Sequence, residues 1–358
     1  MIAASQSNPG PTGVEDGFAL LEAMVTIPSI STHEEPLGRF LVQQLNRMGF
    51  VTRQDEVGNV IAERGSGSRE IVLLGHIDTV SGLVPVRREG DRLYGRGAVD
   101  AKGPFAAAAT AVARQESSAA CRFTLIGAVE EEGSSRGARH LLGRPAPELL
   151  IILEPSGWDA VTLGYKGSLR AHYRLSQAVS HGAGPLPSAA DRAVTFVRQI
   201  QDHAASLSRG KGTFDSLDVR ITRFQSDQDG ITDTAELTVA FRIPPGFDAS
   251  GLRSDLEKWK GDAELRIEYS DPAVRAQKNT PLVRAFLAGI RKAGGTPRFK
   301  LKTGTSDMNI LAPAWGCPTL AYGPGDSKLD HTPEEAIDRA DFERGVDVLT
   351  AALAQLAR

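Results

Sequence analysis

The chain has 358 residues, 41% of them hydrophobic and 24% charged, with a formal net charge of -3, which fits an ordinary globular protein of two domains of about 100–250 residues each. The slight acidic excess argues against a nucleic-acid binder, which carries a basic surplus, and no apolar run approaches the roughly 18–20 residues that span a bilayer. Cys121 and Cys317 stand far apart in no paired motif, so neither a disulfide scaffold nor a thiolate metal site is expected, and a reducing, cytoplasmic setting is.

Residues 1–13 are rich in Ser, Pro and Gly and read as a flexible tail; no Lys or Arg precedes Arg39, so the basic start of a secretion signal is not expected. Leu20, Met24 and Ile27 recur at helical spacing before Pro28, and Leu37, Leu41, Leu45 and Met48 form a second helical stripe. Glu70 to Leu74 is a short continuous apolar run, the mark of a strand buried on both faces. Gly103 to Ala113 predicts a helix with Pro104 in its first turn. Phe123 to Val129 and Leu149 to Leu153 predict two more buried strands, which together give an α/β domain built on a mostly parallel sheet.

After Gly167 the texture changes. Leu169, Ala171, Tyr173 and Leu175 alternate with Arg170, His172 and Arg174, and Ala235 to Ile243 alternates likewise, so these strands belong to a sheet with one solvated face. Further elements are expected near Ala189 to His203 (helix), Leu217 to Phe224 (strand), Ala249 to Lys260 (helix) and Glu264 to Tyr269 (strand). The order β-α-β-β-α-β is that of a ferredoxin-like α+β unit. The first texture returns from Thr280, with a strand over Gly316 to Tyr322 and a closing helix marked by Phe342, Val346, Leu349, Leu353 and Leu356. The expected organisation is a discontinuous domain, 14–165 and 275–358, interrupted by a smaller one over 166–274.

Chemistry-bearing residues follow the buried strands. His76 and Asp78, two apart at a strand end, share a face, and a carboxylate beside an imidazole is the usual support for a metal-bound histidine. Asp100, the acidic run Glu130-Glu131-Glu132, and Glu154 come next, and His331 follows the strand ending at Tyr322. Carboxylates crowded in this way repel one another unless a cation compensates. Two imidazoles with carboxylates and no thiolate suit Zn²⁺, or Co²⁺ or Mn²⁺. His33, His140, His172 and His203 stand near no such motif and read as structural.

From Ala19 to the end these spaced motifs resemble the dinuclear zinc peptidases of the M20 family, which include acetylornithine deacetylase, succinyl-diaminopimelate desuccinylase and glutamate-releasing carboxypeptidases. The resemblance implies a zinc-peptidase catalytic domain interrupted by a lid or dimerisation domain, a homodimer, and two divalent ions. It implies that His76 and Glu154 hold one ion, Glu132 and His331 the other, and that Asp100 bridges them. It further implies that Asp78 orients His76, that Glu131 is the general base, and that the Asp100–Ala101 peptide is cis. The family's usual Asp-Glu-Glu is here Glu130-Glu131-Glu132; aligning on Gly137-Ala138-Arg139 gives Glu131 as base and Glu132 as ligand, and a one-residue slip would give Glu130 and Glu131. By the same resemblance His181 in Ser180-His181-Gly182 is the oxyanion donor, Arg242 binds a substrate carboxylate, and Gly304, Thr305 and Asp307 form a substrate-side loop.

Within the family, Gly95 to Phe105, Lys302 to Asn309 and Leu329 to Glu335 resemble hydrolases that free lysine or ornithine from the C-terminal glutamate of a small acidic amino-group carrier protein. That implies a metal-dependent amide hydrolase of lysine or arginine biosynthesis. The alternatives are a small-molecule deacylase of the acetylornithine type and a non-catalytic metal-binding subunit. An acidic protein substrate suits a basic rim, for which Arg87, Arg88 and Arg92, or Lys166, Arg170 and Arg174, are candidates. The leaving amino acid's distal ammonium suits a carboxylate such as Asp307, Asp330 or Glu335.

Overall fold

The computed structural model describes residues 16–116, 120–182, 184–268 and 271–358. The tail expected over residues 1–13 lies outside them, as does Tyr269 at the end of one expected strand. The chain divides into two compact units. The first takes the chain up to Thr162, Gln277–Lys300 and Ala314–Arg358; the second takes Leu163–Ala276 and Leu301–Pro313.

In the first unit, α1 (Gly17–Thr26) starts where the Asp16 carboxylate accepts from the Phe18 N–H. It is followed by α2 (Glu35–Arg47) and the strands β1 (Val51–Gln54), β2 (Val60–Arg64), β3 (Arg69–His76), β4 (Arg87–Glu89) and β5 (Arg92–Tyr94). Then come α3 (Lys102–Ala113), β6 (Cys121–Ala128), α4 (Arg136–His140), β7 (Leu149–Ile152) and β8 (Ala160–Tyr165). The second unit contributes β9 (Gly167–Ala178), α5 (Ala189–Ser208), β10 (Asp218–Gln228), β11 (Thr232–Ile243), α6 (Ala249–Trp259), β12 (Glu264–Ile267) and β13 (Val274–Arg275). The chain ends with α7 (Pro281–Lys292), β14 (Arg298–Lys302), α8 (Met308–Trp315), β15 (Thr319–Ala321), β16 (Ala336–Asp338) and α9 (Arg339–Leu356).

The main sheet runs β1-β2-β6-β3-β7-β15-β8. Only its centre is parallel: β6 with β3, β3 with β7, and β7 with β15. β1–β2, β2–β6 and β15–β8 pair antiparallel, so the expected α/β class holds while "mostly parallel" is corrected to a mixed sheet. The central strands are buried over most of their length because helices cover them. Among these is α3, buried from Lys102 to Val112, whose run of alanines lets it pack against both β3 and α9.

The second unit orders its strands β10-β11-β9-β12, every neighbour antiparallel. With β9-α5-β10-β11-α6-β12 along the chain, this is the ferredoxin-like arrangement. One face carries Leu169, Tyr173, Leu237 and Phe241 onto Phe196 and Ile200 of α5 and Leu252 and Leu256 of α6. The opposite face carries Arg170, His172 and Arg174 toward solvent. A Ser188–Asp191 capping box starts α5.

Candidate metal centre

The fully buried run Ile71 to Leu74 places β3 in the middle of the sheet and delivers His76 at its C-terminal end. Gly75 is needed there, since a Cβ would lie 2.8 Å from that of Leu153. β6 and β7 run parallel to β3, so Glu130 to Glu132 and Glu154 emerge at the same edge, where sites form in open α/β sheets. Asp100 arrives differently from the sequence expectation. It does not cap a strand of this sheet but sits on a loop between β5, part of a separate β16-β5-β4 sheet, and the N-terminus of α3.

The five residues converge. His76 Nε2 lies 3.1 Å from Asp100 Oδ1 and 3.9 Å from Glu154 Oε1. His331 Nε2 lies 3.1 Å from Asp100 Oδ2 and 2.8 Å from Glu132 Oε1. Asp100 thus turns one oxygen to each imidazole. Three groups offer ligand atoms all within 4.8 Å of one another: His76/Asp100/Glu154, Asp100/Glu132/His331 and His76/Glu131/Glu132. Two imidazoles among carboxylates, without sulfur, form a donor set that fits a pair of Zn²⁺-like ions. The Asp100–Ala101 peptide is cis.

Charge crowding shows in the histidines. Burial alone would lower the His76 pKa, yet hydrogen bonds to Asp100 and Asp78 and the charges of Glu131 and Asp100 outweigh it and hold it well above the ordinary value. Hydrogen bonds to Asp100 and Glu132 push His331 up to about 10. In the metal-free protein the cluster therefore holds protons where it would hold ions. An ion must displace them, so apparent metal affinity should rise with pH through the neutral range, by up to about tenfold per unit for each proton released. Calorimetric titration in buffers of different ionisation enthalpy checks this; binding without proton release would contradict it.

Asp78 is the hub beneath the cluster. Its Oδ1 lies 3.4 Å from His76 Nδ1 and accepts from the Glu131 N–H, while Oδ2 accepts from the Glu132 N–H and from Ser31 Oγ. Burial would raise its pKa, but the His76 imidazole and these donors hold it below the usual carboxylate value. Ser31 stands in a polar loop that gave no sequence signal for this role. The acidic run divides sharply. Glu130, at φ +60°, turns its carboxylate to Ser134 Oγ at 2.6 Å and Arg136 Nε at 2.7 Å, whereas Glu131 and Glu132 face the histidines.

In the second unit, Arg242 on β11 donates to Thr305 Oγ1 at 3.2 Å, so two of the expected substrate residues are brought together. Gly304 is partly exposed beside Thr305 and Asp307 is buried. His181 lies exposed after β9.

Two expectations are corrected. Glu335, fully buried, takes N–H groups from Gly97, Val99 and Asp100 and the Arg96 guanidinium, so it has no capacity left to read a substrate ammonium. Lys166, also fully buried, pairs with Asp218 and belongs to no solvated rim. Arg87, Arg88 and Arg92 pair with Glu89, Glu22 and Asp338. The remaining histidines have local partners: His140 with Glu56, His172 with Glu268, His203 with Asp255 and Trp259, and His33 with Thr32. No helix among the described residues is long and apolar enough to cross a membrane.

The family model "Peptidase family M20/M25/M40" matches residues 72–355. A Deinococcus radiodurans protein named "[LysW]-lysine hydrolase" is 45% identical over 348 residues, covering 94% of this chain and 96% of its own length. The fold is shared with aminopeptidase PepT from Bacillus cereus (TM-score 0.80, 18% identity, 98% of this chain and 100% of that one). It is also shared with an M20 family metallo-carboxypeptidase from Sulfolobus solfataricus (TM-score 0.78, 18% identity, 96% and 99%). The chain belongs to peptidase family M20/M25/M40 and is a metal-dependent hydrolase of amide bonds.

Proposed function

We propose that this enzyme releases lysine or ornithine from the γ-carboxyl of the C-terminal glutamate of an amino-group carrier protein, the carrier denoted LysW in its relative's name. The observation that carries this reading is 45% identity to that [LysW]-lysine hydrolase across 94% of the chain, with every ligand-type residue of the cluster in place.

In this reading His76 and Glu154 would hold one ion and Glu132 and His331 the second, with Asp100 serving both, and Zn²⁺ is the ion we assign. Two such ions, when bound, lower the pKa of a water toward neutrality and polarise the scissile carbonyl. Glu131, carried beside the cluster by Asp78's hold on its N–H, takes the water's proton and returns it to the leaving amine. His181 donates to the oxyanion. Arg242, braced by Thr305, holds the α-carboxylate of the departing amino acid, and Asp307 is the carboxylate for its distal ammonium.

The carrier's docking surface is the solvated sheet face of the second unit. Register places Arg170 and Arg220 on either side of Ala240, and Arg174 and Arg223 share Glu236. On that face Arg170, Arg174, Arg220, Arg223, Arg242 and Arg266 stand among Asp218, Asp227, Glu236, Glu264 and Glu268, a basic excess of one. Such a face steers an acidic partner in a salt-dependent way. Purified enzyme given carrier-linked lysine, carrier-linked ornithine and acetylornithine, each at low and high salt, tests both readings. Hydrolysis of the carrier conjugates should dominate and should weaken with salt. Preference for acetylornithine would make the enzyme a small-molecule deacylase.

We also assign the homodimer contact to β10. This edge strand is exposed over most of its length and shows Ile221 and Phe224 to solvent at 42% and 46%, an unpaired edge of the kind that invites a second chain. A monomeric mass by sedimentation at micromolar concentration would count against it.

A further inference from the structure

The Asp100 loop is held from one side by a single carboxylate. Glu335 Oε1 accepts from the backbone N–H of Gly97 at 3.0 Å, Val99 at 3.0 Å and Asp100 at 3.1 Å. Oε2 takes Arg96 Nη1 at 2.8 Å, and the same nitrogen donates to the Thr332 carbonyl at 3.2 Å. The side chain is 1% exposed, so those donors have no water to turn to if it is removed. Gly97 at φ +87° supplies the turn that aims neighbouring N–H groups at one oxygen.

Glu335 lies four residues after His331. The Gly95 N–H donates to the Glu335 carbonyl, and β16 then pairs with β5, Ala336 opposite Tyr94. One short peptide therefore carries a histidine of the cluster and grips the loop that carries Asp100. The two ends of the Asp100–His331 contact are fastened to each other before any ion arrives.

We infer that Glu335 is a positioning residue that presets Asp100 and His331 for the ion they share with Glu132. Its carboxylate is turned to the Asp100 loop and Arg96 and is no member of the ligand cluster, and the inference rests on the two-metal reading above. The ion held by His76 and Glu154 depends on it less, because those residues come from β3 and the end of β7. Supports of this kind change metal affinity by about 10–100-fold when lost.

The test titrates chelator-stripped wild type, Glu335→Ala, Glu335→Gln and Arg96→Met with Co²⁺, followed by calorimetry and visible absorption, with metal-free thermal unfolding as the check on folding. Wild type should bind two equivalents. Glu335→Ala should weaken the second by about 10–100-fold and the first, which also uses Asp100, by a smaller factor. Glu335→Gln, whose amide oxygen still accepts the three N–H groups while its NH₂ faces Arg96, should restore part of the affinity. Arg96→Met keeps all three N–H bonds and should weaken the second equivalent in the same direction by a smaller factor, which serves if Glu335→Ala fails to fold. An unchanged second equivalent in Arg96→Met and in whichever Glu335 variant folds overturns the inference. So do equal weakening of both equivalents and a Gln variant no better than Ala. Fewer than two equivalents in the wild type overturns the two-metal reading and this inference together; two in the wild type with an unchanged Glu335→Ala overturns this inference alone.

Discussion

Glu131→Gln should bind two ions as the wild type does and hydrolyse carrier-linked lysine about 10²–10⁴-fold more slowly, the range that loss of a general base produces. The substitution is nearly isosteric and leaves the Glu131 N–H on Asp78 Oδ1 at 3.0 Å, so the backbone turn carrying Glu132 should stay in place. Metal content read beside kcat makes the result diagnostic. If Glu131 were instead a ligand, as a one-residue slip of the acidic run would have it, the variant would lose an ion along with its rate. Glu130→Gln is the matching control. The Glu130 carboxylate is engaged by Ser134 and Arg136, so that change should perturb the local turn and leave kcat within a few-fold of wild type. A Glu131→Gln enzyme of full rate would remove Glu131 from the mechanism.

The residues legible in the sequence were those whose position follows from a local pattern. His76 and Glu154 each end or follow a continuous apolar run, and a buried strand pointing at a sheet edge has few other places to put a polar residue. The period-two strands of the second unit likewise named their buried and solvated faces. What was not legible depends on pairing over long separations. Glu335 reads as one more acid near a histidine, because its N–H partners lie 235 to 238 residues away. Lys166 reads as a surface cation until Asp218, 52 residues on, takes it. Asp100 resembles a strand-end carboxylate, but it reaches the cluster by a loop from a different sheet. The antiparallel pairing of β2 with β6 leaves no trace in composition either, since the buried apolar stretch Val60 to Ala62 reads like those of the parallel strands.

Asp78→Asn should be more damaging than loss of any single ligand, because three separate parts of the centre meet at that carboxylate. Its two oxygens accept from the Glu131 and Glu132 N–H groups and from Ser31, and face His76 Nδ1. An amide has one acceptor oxygen and one donor group, so one of the two backbone N–H groups would face an NH₂. The site is fully buried, where such a donor–donor contact finds no water to relieve it. The turn carrying base and ligand should shift, and His76 should lose the negative charge that supports its basicity. Affinity for the His76/Glu154 ion should fall by about 10–100-fold through the imidazole alone. Affinity for the second ion should fall as well through displacement of Glu132, and the larger loss at the first ion separates Asp78 from Glu335. Activity should drop at least as far as in Glu131→Gln, and added Zn²⁺ should restore only part of it, because ion excess refills the sites without returning Glu131 to its place. Co²⁺ titration of the variant gives the affinities, and kcat at saturating metal gives the unrecovered share. Full recovery of kcat in excess metal would mean that Asp78 serves the ions alone and does not hold the catalytic turn.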